Sequence, residues 1–206
     1  MALDITKGLE HFIGVDESNH GNIPEIVVAI SSIHPDDILY HKEEIPKRRF
    51  KCKSDEQAEK RIKEILECRQ YRFTALYGYH MDSLGPCSAK TSSFGQVLAS
   101  FEYRKPKRVF IDGRGNSQDR EDINYVISAR SDIDHKIRFV KQGDQHFPIL
   151  NLADQVAYII FKRYEKITEN EEGPFDEFKI PFEIRSVSRK SIKEMYRKQS
   201  HHRGNH

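Results

Sequence analysis

The 206-residue chain has few cysteines, only Cys52, Cys68 and Cys87. An odd number at wide spacings forms neither a disulfide framework nor the paired spacing of a structural zinc site, so reduced thiols are expected. Long apolar runs are missing as well: none approaches the ~20 residues that a membrane helix needs. The opening segment MALDITKGLEHF carries an acid where a secretory signal has its basic end, and a cytoplasmic address with no membrane association is the expectation. A strong excess of one charge is also lacking, since 34 Lys/Arg stand against 32 Asp/Glu, a net +2. There is no internal repeat, no low-complexity segment and no phosphate-loop lysine beside the glycine-rich Gly113-Arg114-Gly115-Asn116.

What is present is the composition of a soluble globular protein, 37% hydrophobic and 32% charged. The length suits a single domain over 1–206, with a core at about 10–165 and a basic carboxy-terminal extension at about 180–206. Charge is blocked rather than spread. PKRRFKCK (46–53) has five basic residues, and beyond Ile180 seven Lys/Arg face two Glu, a local +5, behind the acidic ENEEGPFDE (169–177). Such blocks are either solvated faces or contacts to nucleic acid.

The apolar pattern changes period along the chain. HFIGVDE and PEIVVAISS are short runs joined by the turn-rich SNHGN, which predicts an antiparallel hairpin. SDEQAEKRIKEILECRQ opens with a Ser54 cap and Gln57 three residues on, and places Ile62, Ile65 and Leu66 on one helical face. YRFTALYGYH predicts a strand with His80 at its end, SSFGQVLASFEYR a helix, KRVFID a buried strand, SQDREDINYVISARS a helix and HKIRFVK a strand. FPILNLADQVAYIIFKRYEK, with Pro148 near its start, predicts the longest apolar helix. A short strand FEIRSVS, a basic helix SRKSIKEMYRKQ and a disordered HHRGNH close the reading. The fold class is therefore α/β, a mixed sheet that begins with an antiparallel hairpin and continues in parallel, flanked by helices. Ligands gather at the carboxyl ends of parallel strands in such sheets.

Those ends carry acids. Asp16 and Glu17 close the first strand, Asp112 closes KRVFID, Asp144 follows HKIRFVKQG, and Asp154 sits inside the apolar helix. Strand alternation turns Asp16 and Glu17 to opposite faces, which makes Glu17 secondary. Each acid has an ordinary use: Asp112 can start a turn with Gly113, Asp144 can cap the next helix, and Asp154 can face solvent. Taken together, several carboxylates on adjacent strand ends repel one another unless a cation lies among them, and hard oxygen ligands suit Mg²⁺ or Mn²⁺. Two such ions activate water and stabilise the leaving oxygen in phosphodiester cleavage. Around them, Arg114 and Lys141 are candidates for phosphate or nucleic-acid contact, His20 and His146 for phosphate contact or proton transfer, and Ser18 for a hydrogen bond to a ligand carboxylate.

The ordered set Gly14-Val15-Asp16-Glu17-Ser18-Asn19-His20-Gly21, Val109-Phe110-Ile111-Asp112-Gly113 and Lys141-Gln142-Gly143-Asp144, leading to Phe147-Pro148-Ile149, resembles the ribonuclease H-like superfamily and within it type 2 ribonuclease H. The match runs over about residues 10–165. Asn19-His20-Gly21 stands where that family has the Gly-Arg-Gly or Gly-Lys-Gly that grips an RNA to DNA junction. Asn151-Leu152-Ala153-Asp154-Gln155 puts an acid into its small-residue helix. Asp-Glu-Ser with Leu-Ala-Asp is similar to uncharacterised ribonuclease H-like proteins, and that resemblance implies Asp16, Asp112 and Asp154 as metal ligands, with Glu17 and Asp144 assisting. A metal-dependent nuclease acting on RNA, DNA or hybrid is the implied function; a nucleic-acid-binding or protein-interaction module without catalysis is the alternative.

Overall fold

A computed structural model describes residues 11–18, 24–46, 51–67, 69–84, 86–101, 108–129, 135–168 and 170–183. Five short apolar runs become strands: β1 (Phe12–Ser18), β2 (Glu25–Ser32), β3 (Gln70–Leu76), β4 (Arg108–Asp112) and β5 (Lys136–Val140). They form one sheet in the order β3-β2-β1-β4-β5. β1 pairs antiparallel with β2, which pairs antiparallel with β3, while β4 and β5 run parallel to β1. This is the expected mixed sheet, hairpin first and parallel afterwards. The hairpin register sets Ser18 against Ile26; its turn, including His20, lies outside the described residues.

Among the described residues, five helices cover the sheet: α1 (Asp55–Ile65), α2 (Gly78–Leu84), α3 (Pro86–Ala99), α4 (Ser117–Ser128) and α5 (Pro148–Tyr164). The Ser54 hydroxyl accepts the Gln57 amide N–H, and Gln57 reaches back to the Lys53 N–H, so the start of α1 is the one its sequence predicts. Asn116 and Asp119 form a reciprocal capping box on α4.

One face of the sheet packs Ile26, Val28, Ile30 and Phe73 against α1 and α5. The other packs Ile13, Val15, Val27, Val109 and Ile111 against α3 and α4. Successive β1 residues thus alternate between two cores, and every β1 side chain is buried. Gly14 settles how close α5 comes, because a Cβ there would meet the Ile149 side chain at 2.8 Å and its carbonyl oxygen at 2.9 Å.

Three expectations change. The strand predicted through YRFTALYGYH stops at Leu76, and His80 lies in α2; its buried ring accepts the Tyr77 N–H at Nδ1, 2.9 Å away. The helix read from SSFGQVLASFEYR starts earlier, with Pro86 as its first residue, and ends at Ala99; residues 102–107 lie outside the described part. Residues 182–183 of FEIRSVS carry no strand. Their backbone is met instead by the side-chain amide of Gln96, which donates to the Glu183 carbonyl at 2.9 Å and accepts its N–H at 3.0 Å. The remainder of that segment, the basic helix, the tail and most of the basic extension lie outside the described residues.

After α5 the chain folds back on the sheet. Phe175 enters the core, the Tyr164 hydroxyl donates to Asp176 (2.7 Å), and the Ile180 N–H donates to the Phe73 carbonyl (2.7 Å), with a parallel bridge between Phe73 and Lys179.

Candidate functional site

The carboxyl ends of β1, β4 and β5 lie together, and the first half of α5 passes over them. Asp16 faces the α5 side of the sheet and is 5% exposed. Its carboxyl is held well above the usual carboxylate range, first by burial and then by the charges of Asp112, Glu17 and Asp154; the Glu17 N–H, 2.8 Å from Oδ1, works the other way. Asp16, Asp112 and Asp154, from three different elements, therefore share one acidic basin.

Asp112 is half-buried at the end of β4. Its Oδ1 accepts the N–H of Gly143 (2.6 Å) and of Gly113 (2.8 Å). Burial and Asp144 outweigh these two donors and raise its pKa. Gly113 has φ +104°, a conformation that a side chain opposes, so the turn role expected of Asp112 and its place in the basin coexist. Asp144 is buried in the turn after β5, and its charge is among the causes that raise the Asp112 pKa. It does not cap α5, whose N-cap position is taken by Phe147 without a side-chain hydrogen bond. That turn is set by Gln142 in the left-handed region (φ 54°) and by buried Asn151, whose amide donates to the Asp144 carbonyl at 2.9 Å.

Glu17 points away from this basin. On the opposite face it pairs with Lys90 of α3, which also lies 3.5 Å from Glu25. Burial alone would lower the Lys90 pKa, but these two carboxylates override it and raise it. Arg114 and Lys141 are exposed on the loops after β4 and β5. His146 stacks on Tyr40 at 5.0 Å, with Nδ1 2.9 Å from the His41 carbonyl. Ser18, two residues beyond Asp16 on the same face, buries a hydroxyl oxygen that has no hydrogen-bond partner among the described residues. Lys90, Asn151 and the Gly14 contact escaped the sequence reading; Asn151 stood within the segment that drew attention to Asp154, but only its partner reveals its use.

The donor set is all oxygen, from buried Asp16 and half-buried Asp112 and Asp154, which fits a hard divalent cation. Its spacing is looser than a coordination shell: among the described residues, no three His, Cys, Asp or Glu side chains stand close enough together to hold a metal ion.

No protein-family model and no curated protein sequence matches the chain. Solved structures do. The PCNA:RNase HII complex from Archaeoglobus fulgidus aligns over 91% of this chain and 89% of that chain, with 12% identity and a TM-score of 0.50. The fold is ribonuclease H-like. Ribonuclease H2 from Pyrococcus horikoshii OT3 aligns over 91% of this chain and 99% of that one (14% identity, TM-score 0.49). Bst-RNase HIII in complex with Mn²⁺ aligns over 75% and 53% (15% identity, TM-score 0.49). On this ribonuclease H-like sheet, the acids occupy the carboxyl ends of the parallel strands, the place where ligands of open α/β sheets collect. No helix among the described residues is long and apolar enough to cross a membrane.

Proposed function

We propose that the protein is a divalent-metal-dependent phosphodiester-cleaving enzyme that acts on nucleic acid. The observation that carries this reading is the convergence of Asp16, Asp112 and Asp154 on one acidic basin in which the charges of the other two oppose ionisation of Asp16. Carboxylates that oppose one another's ionisation are relieved by a cation among them, and hard oxygen donors suit Mg²⁺ or Mn²⁺. Asp16, Asp112 and Asp154 would hold Mg²⁺ or Mn²⁺, and Asp144, whose charge acts on Asp112, would assist. Such an ion supplies Lewis acidity toward a phosphate oxygen and lowers the pKa of a bound water. The protein's own part is to hold the carboxylates: Gly113 and Gly143 orient Asp112 through their N–H groups, and the orphan Ser18 hydroxyl is available to a ligand carboxylate. Arg114 and Lys141, exposed beside the basin, would contact phosphate, and His20 joins them as a candidate from the hairpin turn.

The expected result is that Asp112→Asn abolishes Mn²⁺-dependent cleavage of a mixed panel of RNA, DNA and hybrid substrates while the thermal midpoint does not fall. Cleavage at the wild-type rate in that variant would sink the reading. A second reading, a nucleic-acid-binding or protein-interaction module that has lost catalysis, is favoured by the open spacing of the acids. A Mn²⁺ titration followed by thermal shift separates the two, because a ion bound only by the native state raises the melting temperature. No rise at millimolar metal supports the module.

A further inference from the structure

A cavity of about 540 Å³ lies against the second half of α5, lined among others by Lys51, Tyr158, Lys162, Arg163 and Lys166, with Glu165 as its acid. Four of its side chains are cationic. Arg163 is committed to Asp55, and among the described residues the acidic partner of Lys162 is the exposed Glu165 at 3.0 Å, a pairing worth little in water. Among the described residues, Lys51 and Lys166 have no acidic partner within ion-pair distance. A second cavity of about 380 Å³ continues from the first, sharing Glu165 and Lys166 and reaching Tyr77 and the exposed Tyr79. Cations and the partly open rings of Tyr158 and Tyr79 thus lie along one groove, the combination that tracks a nucleic-acid backbone while offering rings to its bases.

Its position relative to the acids is fixed by the helix itself. Asp154, Tyr158 and Lys162 follow one another at steps of four on α5. At 1.5 Å rise per residue, Lys162 stands about 12 Å along the axis from Asp154, roughly three to four steps of 3.4 Å along a nucleic-acid strand. Lys51 also belongs to the basic block at 46–53 that the sequence sets apart.

We propose that the groove formed by Lys51, Tyr158, Lys162 and Lys166 is a subsite for the nucleic-acid strand flanking the acidic basin, binding its phosphates through the lysines and stacking a base on Tyr158. The inference rests on the proposed function, since it takes the strand to pass the acids, but it predicts binding rather than cleavage. Glu165 limits the site to a strand that passes rather than a single tightly held anion, because a lone phosphate would meet one carboxylate among the lysines.

The test is fluorescence anisotropy of a labelled single-stranded oligonucleotide on the full chain across a salt series. The proteins compared are wild type, a triple Lys51→Ala/Lys162→Ala/Lys166→Ala variant, Tyr158→Ala and Asp154→Asn. Each phosphate contact adds about 0.7 to the slope of log affinity against log salt for a single strand, so the triple variant should lose roughly 2 from that slope and at least tenfold in affinity. Tyr158→Ala should weaken binding severalfold with the slope unchanged. Asp154→Asn should keep the slope. Wild-type slope and affinity in the triple variant overturn the subsite, even where cleavage is intact. Loss of slope in the triple variant of a protein that cleaves nothing upholds the subsite and removes the nuclease reading. Equal weakening of polyglutamate binding would mark a generic acidic-partner surface and overturn the nucleic-acid assignment.

Discussion

Asp16 is folded at a cost. Because its pKa in the folded protein lies above the unfolded value, the stability it allows is complete only at pH below the unfolded value of 3.8, and is lost as pH rises through the folded one. At neutral pH, Asp16→Asn removes that cost while keeping the shape. The variant should melt several degrees above wild type at pH 7, show no advantage in acid, and have no metal-dependent cleavage. A lower midpoint at pH 7 would mean that the carboxylate is compensated by the fold itself. His80 acts with the opposite sign. Burial lowers its pKa to about 4, its Nδ1 already accepts the Tyr77 N–H, and the rings of Tyr77, Tyr79 and Phe182 surround it. Between pH 6.5 and about 4 the unfolded chain binds the additional proton, so stability falls as pH drops through that window. The loss should be no more than about 3 kcal/mol, and urea midpoints at pH 7 and pH 5 should converge in His80→Gln.

Among the elements, α5 decides the site, and its approach to β1 depends on Gly14. Gly14→Ala forces a methyl into contact with the Ile149 backbone and side chain. It should destabilise by about 1–3 kcal/mol and shift Asp154 away from Asp16, so that metal affinity falls although no acid has been changed. Wild-type metal affinity in a destabilised Gly14→Ala would break the link between helix approach and site. The residues also show what was legible beforehand. β1, β4, β5 and α5 are long or strongly patterned, so the strand ends that carry Asp16 and Asp112 and the helix that carries Asp154 were legible from the sequence. The opposite faces of Asp16 and Glu17 followed from alternation alone. The aromatic Tyr77-Gly78-Tyr79-His80 resembled more strand, but the bond from the Tyr77 N–H to His80 Nδ1 closes a turn that periodicity does not register. The turn that holds Asp144 near Asp112 depends on left-handed Gln142, and Glu17 finds Lys90 from 73 residues away; neither leaves a local signal.

At the scale of the whole molecule, charge is partitioned: an acidic basin at the carboxyl ends of β1 and β4, and a basic groove that begins one helical turn further along α5. With a net +2, attraction for a polyanion must come from this local arrangement rather than from overall charge, and it should weaken steeply with salt. The segment after α5 has a separate consequence. β3 is an edge strand with a row of buried apolar residues, and the returning chain meets its outer side at Phe73 while Tyr164 and Asp176 hold it in place. An uncovered apolar edge recruits a second copy of itself. The returning segment is therefore a guard against self-association, and a chain cut after Thr168 should keep its fold signature by circular dichroism at low concentration yet aggregate as concentration rises. If it stays monodisperse by light scattering, the edge is protected by β3 alone; otherwise, solubility in this protein is written into residues that never touch its site.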